Sequence, residues 1–188
     1  MKMALNHTGT IELISDRLCL RPFSLEDTFA FHEYITSNNK VRRYFLIPYH
    51  QDIFETKKMM TQMIKAYRSK TYNWAVTLKE GNEWIGLIRL FDVNDDHASA
   101  EIGYALSPHH WNNGYMSEAI STVLNHLFVT VGYQRLTADC MSENQASCRV
   151  LEKNGMQLIG KTMNGIFWQE CSHDVLHYSL SRDTYLTK

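Results

Sequence analysis

The 188-residue sequence predicts an α/β (α+β) fold: a mixed, mostly antiparallel central sheet of about six to seven strands, flanked by helices on both faces. Three observations predict it. Residues 72–106 hold three short runs of alternating apolar residues, separated by turn signals. Residues 117–131 then switch to a helical period and lead into another short strand, the order that makes a right-handed crossover between parallel strands. A second, Asn-led helix and further strand-like runs close the chain. No linker, repeat or low-complexity stretch interrupts it, so one domain over residues 1–188 is expected.

Each element has a local cause. Arg17–Arg21 alternates charged and apolar residues, as a half-buried strand does. Ser24, followed at the third position by Asp27, marks the start of a helix reaching about Ser37. Asp52, with Glu55 three residues on, starts a second helix whose Met59, Met60, Met63, Ile64 and Tyr67 form one apolar stripe, read as core. Tyr72–Leu78 and Glu83–Phe91, joined through Gly81, predict an antiparallel hairpin, and Ala100–Leu106 adds a third strand of the meander. On that strand Glu101, Gly103 and Ala105 point opposite to Ala100, Ile102, Tyr104 and Leu106. From Ser117, residues Ile120, Val123, Leu124, Leu127, Phe128 and Val131 keep helical spacing until Gly132. Arg135–Met141 reads as a strand, Asn144–Asn154 as a capped helix ended by Gly155. Met156–Lys161, Ile166–Cys171 and Asp174–Leu180 read as three closing strands.

Composition narrows the function classes. A net charge of −1 gives no sequence-wide basic field, so neither nucleic acid nor a membrane surface is expected as a partner. No apolar run approaches the roughly 20 residues of a membrane helix, and the N-terminus lacks the pattern of a signal peptide. Cys19, Cys140, Cys148 and Cys171 have no CxxC spacing, which predicts reduced thiols, no zinc ribbon and a cytoplasmic protein. The histidines show no paired ligand spacing, so no metal is expected. Self-association into a homodimer is left open.

The motif that carries chemistry is Trp111-Asn112-Asn113-Gly114-Tyr115-Met116-Ser117. The first N–H groups of a helix have no intrahelical partner, and the macrodipole places partial positive charge there. A glycine beside them lets a diphosphate approach the backbone. Neither a Walker loop nor GxGxxG is present, which disfavours NTPase and Rossmann readings.

Taken with its neighbours, this segment resembles the GCN5-related N-acetyltransferase (GNAT) superfamily. Trp111-x-x-Gly114-x-Met116 departs at both ends from the usual Gln/Arg-x-x-Gly-x-Gly/Ala phosphate loop. WNNGYMSEA instead resembles the RimJ/RimL-like branch of ribosomal-protein N-terminal acetyltransferases, as do Asp16–Pro22, Asn144–Ser147 with Arg149–Gly155, and Asp174–Leu180. The resemblance covers about residues 10–184. It implies acetyl transfer from acetyl-CoA to an amine, on a peptide N-terminus or a small molecule. The third strand and the strand at Arg135–Met141 would splay apart to admit the pantetheine arm. Backbone groups near Leu106, donors at Asn112, Asn113, Gly114, Tyr115, Met116 and Ser117, and the side chain of Asn144 would hold the cofactor, with Ser147 near the sulfur.

A protonated amine cannot attack a thioester, and an α-amino group (pKa about 8) is largely protonated at neutral pH. The site therefore needs a proton acceptor, and Glu101, on the strand bordering the implied gap, is the candidate. Ser147 is the candidate donor to the leaving thiolate. Glu118 reads as a structural helix-start acid, His109 and His110 as loop packing or cofactor contacts, and Cys140 and Cys148 as core or helix-face residues. Trp111 and Tyr115 are loop anchors or acceptor walls; Arg42, Arg43, Tyr44, Trp168 and Glu170 are candidate acceptor contacts. Two rival readings remain: acetylation of an antibiotic, polyamine or amino acid, and a CoA-binding module without catalysis.

Overall fold

A computed structural model describes residues 4–187. Hydrogen bonding orders eight strands as β1-β2-β3-β4-β5-β6-β8-β7, with β1 Leu13–Ile14, β2 Leu18–Pro22, β3 Asn73–Leu78, β4 Trp84–Asn94, β5 Ser99–Leu106, β6 Arg135–Met141, β7 Gln157–Trp168 and β8 Cys171–Ser181. The eight strands are close to the six to seven expected; two-residue β1 is too short to leave an alternating pattern and had no sequence expectation. The chain forms two compact units, His7–Arg89 with Tyr104–Thr122, and the segments up to Asn6, Leu90–Gly103 and from Val123 onward.

In the first unit, Ser24 opens a tight turn (Leu25–Asp27): its N–H donates to Asp27 Oδ2 at 2.8 Å. Helix α1 (Thr28–Phe31), a wider π-turn (His32–Thr36) and the short α2 (Asn39–Arg42) follow, so the expected helix forms but with mixed winding. The side chain of Asp52 accepts from the N–H groups of Phe54 and Glu55 and starts α3 (Ile53–Lys65). The methionine stripe is core: Met60 is fully buried with Phe31, Ile35, Ala75, Trp84 and Leu87, and Met59, Met63 and Ile64 pack on that cluster. Burying one such side chain stabilises by about 1.5–3 kcal/mol. β3 pairs antiparallel with β2 and β4. Only Leu78 among its residues escapes full burial, so both faces of this strand are covered.

Helix α4 (Tyr115–Asn125) starts in the first unit, and in the second unit the chain continues as a π-turn (His126–Val131). Gly132 ends it at φ 94°, in the left-handed region where glycine carries no steric penalty. β5 pairs parallel with β6 from Ser99↔Arg135 to Glu101↔Thr137, as the crossover predicts. β6 pairs antiparallel with β8, and β8 with β7. Asn144 caps α5 (Gln145–Lys153), accepting from the Ser147 N–H. The tail corrects the expectation of three closing strands. Met156–Lys161 and Ile166–Cys171 belong mainly to one long strand, β7, whose pairing with β8 shifts between Thr162 and Ile166. The interval between Lys161 and Ile166, expected to separate two strands, is absorbed as a bulge with Asn164 at φ 50°. A last short helix, α6 (Arg182–Leu186), had no sequence expectation.

Candidate active site

The loop before α4 is shaped by its own residues. Asn112 and Gly114 both take left-handed backbone, at φ 62° and 79°. The first helical bond runs from the Glu118 N–H to the Gly114 carbonyl, so the N–H groups of Tyr115, Met116 and Ser117 lie in the open first turn. The Trp111 indole donates to the Leu106 carbonyl at 2.9 Å, and Asn113 Nδ2 donates to the Trp111 carbonyl at 3.0 Å. Trp111 is therefore a loop anchor, and one lone pair of the Leu106 carbonyl is already engaged. Tyr115 sits beside His110, with ring centroids 6.1 Å apart.

A residue the sequence reading passed over completes this loop. Arg17 Nη1 donates to the Asn113 carbonyl at 3.1 Å, its Nε donates to Glu118 Oε2 at 2.7 Å, and its guanidinium lies 4.5 Å from the Tyr115 ring centroid. Glu118 also accepts from Ser15 Oγ at 2.7 Å and the Arg17 N–H at 2.9 Å. Burial alone would raise the Glu118 carboxyl; hydrogen bonds from Ser15 and Arg17 outweigh that and hold it below the usual range. Glu118 is thus structural, as expected, and it holds Arg17 against the loop. Arg17 stands about a hundred residues from its partners, so no local pattern announces it.

The loop fits an anion. A Cβ built on Gly114 would meet only the Arg17 guanidinium, at 3.6 Å, so the approach to these N–H groups is open and cationic. Just upstream, Ser107 Oγ and His110 Nδ1 are buried with no partner among the described residues, leaving polar capacity that this fold does not use itself. His109 packs edge-on to Tyr34, as loop packing predicts. Arg42 and Arg43 lie over the rings of Tyr49 and Tyr44 in the same unit.

In the second unit, Glu101 is half buried on β5. Burial, then the nearby carboxylates of Asp139 and Asp92, raise its carboxyl above the ordinary range, while His177 opposes them. A carboxylate so placed is a stronger proton acceptor than one in water. Asn144 Oδ1 is spent on capping α5, leaving the Nδ2 amide as its donor, and Ser147 sits in the first turn. Cys140 and Cys148 are buried thiols with sulfurs 3.4 Å apart, and desolvation pushes Cys140 up, so it is not an activated nucleophile. All four cysteines are free. No group of three or more metal-ligating side chains occurs among the described residues. Trp168 ends β7, and Glu170 lies in the turn that joins it to β8.

Comparison with known proteins gives this geometry a context. The family model for the acetyltransferase (GNAT) domain matches residues 17–157. The chain is 32% identical over 169 residues to an uncharacterized N-acetyltransferase, YoaA, of Bacillus subtilis, covering 89% of this chain and 95% of that protein. The crystal structure of a GNAT-family acetyltransferase from Bacillus anthracis superposes with a TM-score of 0.82 at 29% identity, covering 92% of this chain and 99% of that one. RimL, a ribosomal L7/L12 alpha-N-protein acetyltransferase solved with coenzyme A, superposes with a TM-score of 0.82 at 23% identity, over 93% and 99%. With an anion-ready helix start held by Arg17, and a family match across most of its length, the chain belongs to the GNAT acetyltransferases and is an N-acetyltransferase that uses acetyl-CoA.

Proposed function

We propose that this enzyme, a RimJ/RimL-like member of its family, acetylates a protein N-terminal amine by direct attack of the amine on the acetyl-CoA thioester. The carrying observation is Glu101, a half-buried carboxylate whose proton affinity is raised by burial and by Asp139 and Asp92. In this role Glu101, directly or through water, takes the proton that an ammonium must lose before it can attack. The N–H groups from Asn112 to Ser117, with Arg17 beside them, bind the diphosphate. Backbone groups near Leu106 and the Asn144 amide orient the donor, and the Ser147 hydroxyl donates to the departing thiolate. The WNNGYMSEA segment supports the branch assignment, and the four free cysteines suit a reducing cytoplasm.

One observation favours a second reading, a cationic small amine such as a polyamine. Asp139 and Asp92 lie near enough to Glu101 to raise its carboxyl, so that patch carries more negative charge than the sequence-local Asp92, Asp95 and Asp96 suggested. Release of the CoA thiol, measured against peptides with free N-termini and against polyamines, separates the two. Turnover confined to peptides supports the N-terminal reading; turnover confined to polyamines replaces it.

A further inference from the structure

Three side chains of the second unit form a chain of hydrogen bonds to which the proposed amine acetylation gives no proton-transfer step. Asp139 Oδ1 lies 2.8 Å from His177 Nδ1, and His177 Nε2 lies 2.8 Å from Thr162 Oγ1. Strand register builds this arrangement. β6 and β8 set Asp139 directly opposite His177, and β7 sets Gly160 opposite His177. With no side chain at Gly160, the imidazole can lean across β7 toward Thr162: a Cβ there would lie 3.8 Å from His177 Cδ2.

A carboxylate only accepts, so Nδ1 carries the hydrogen. In the neutral form of the ring Nε2 presents a lone pair, and Thr162 donates to it. Carboxylate, imidazole and hydroxyl in this order are the arrangement that turns a hydroxyl into a nucleophile. Thr162 is exposed, and the side chains of His177 and Asp139 keep 33% and 36% of their accessible surface, so small acyl donors can reach them.

We propose that Thr162 is an acyl-accepting nucleophile, taking an acyl group from an activated ester or thioester to become O-acylthreonine. Oγ of Thr162 bonds to the acyl carbon while its proton passes to His177 Nε2. The bond from the acyl carbon to the leaving oxygen or sulfur breaks, and the leaving group departs with that electron pair. The imidazolium, held by Asp139, returns the proton to the leaving group. The products are the acylated threonine and a free alcohol or thiol, with no change of oxidation state.

The test uses the full chain with p-nitrophenyl acetate and no acetyl-CoA, so its outcome does not depend on the amine-acetylation reading. Mass spectrometry of the peptide containing Thr162 reports the added acetyl group. Labelling is expected for the wild type and for Thr162→Ser, and none at this position for Thr162→Val. His177→Gln should slow it by about 100-fold or more, the scale of losing a positioned general base. Asp139→Asn, which preserves volume, should also slow it and supplies the second reading if His177→Gln perturbs the hairpin. An unlabelled Thr162 in the wild type, or wild-type labelling rates in both His177→Gln and Asp139→Asn, would overturn the proposal.

Discussion

Placing valine at Gly114 tests the loop most sharply. Gly114 has φ 79°, where an L-residue pays roughly 1–2 kcal/mol, and a β-branched one sits at the upper end. Space is not the first obstacle, since a Cβ would meet only Arg17 Nη2 at the ordinary distance of 3.6 Å. Two consequences follow for Gly114→Val. Its methyl groups occupy the approach to the first-turn N–H groups, and any rotation that relieves the strain turns those groups away. A loss of about 1–2 kcal/mol corresponds to roughly 5–30-fold weaker binding. Calorimetric titration of acetyl-CoA into wild type, Gly114→Ala and Gly114→Val should give Kd values rising in that order, with thermal unfolding run beside it to separate strain that stays in the fold. Wild-type affinity in Gly114→Val would refute the assignment of this loop to the diphosphate.

Other expectations concern charge, capping and thiols. Glu118→Gln should destabilise by about 1–3 kcal/mol, because a carboxylate accepting from Ser15 and Arg17 is replaced by a neutral amide. The Glu118 carboxyl is lowered in the folded state, so its contribution is present above the ordinary carboxylate range and lost as pH falls through the folded value; acid-unfolding curves of the two proteins should converge at low pH. Glu101→Gln should lower kcat while leaving acetyl-CoA affinity near wild type, and wild-type rates at neutral pH would dismiss Glu101 as proton acceptor. The Glu101 carboxyl is raised, so wild-type activity should fall on acidification at a pH above the usual carboxylate range, a limb absent from the residual activity of Glu101→Gln. Asn144→Ala should cost about 1 kcal/mol through loss of the α5 cap, read by denaturant unfolding. In the native protein, exposed Cys171 should alkylate well before buried Cys140 and Cys148, as mass spectrometry after a short iodoacetamide pulse will show.

What was legible in the sequence was what short-range chemistry dictates. Asp52 and Asn144 cap helices as their spacing predicts, Gly132 ends one at positive φ, and Arg135–Met141 forms the strand read from its pattern. The methionine stripe of α3 packs as core for the same reason. What escaped was set by pairing between distant segments. The hold of Arg17 on Glu118 joins residues about a hundred positions apart, and the carboxylates around Glu101 meet only once β4, β5 and β6 are ordered side by side. Asp139, His177 and Thr162 likewise have no shared sequence pattern, since register alone brings them together. The local pattern divides β7 in two between Lys161 and Ile166, whereas pairing with β8 carries the strand through as a bulge.

The most direct measurement is turnover itself: purified enzyme with acetyl-CoA and a panel of peptides and small amines, followed by CoA thiol release and by the mass of the acetylated product. At least one primary amine should gain an acetyl group at a rate that Glu101→Gln reduces markedly. Tight acetyl-CoA binding with no acetylated product across the whole panel would contradict acetyl transfer and leave a cofactor-binding module in its place.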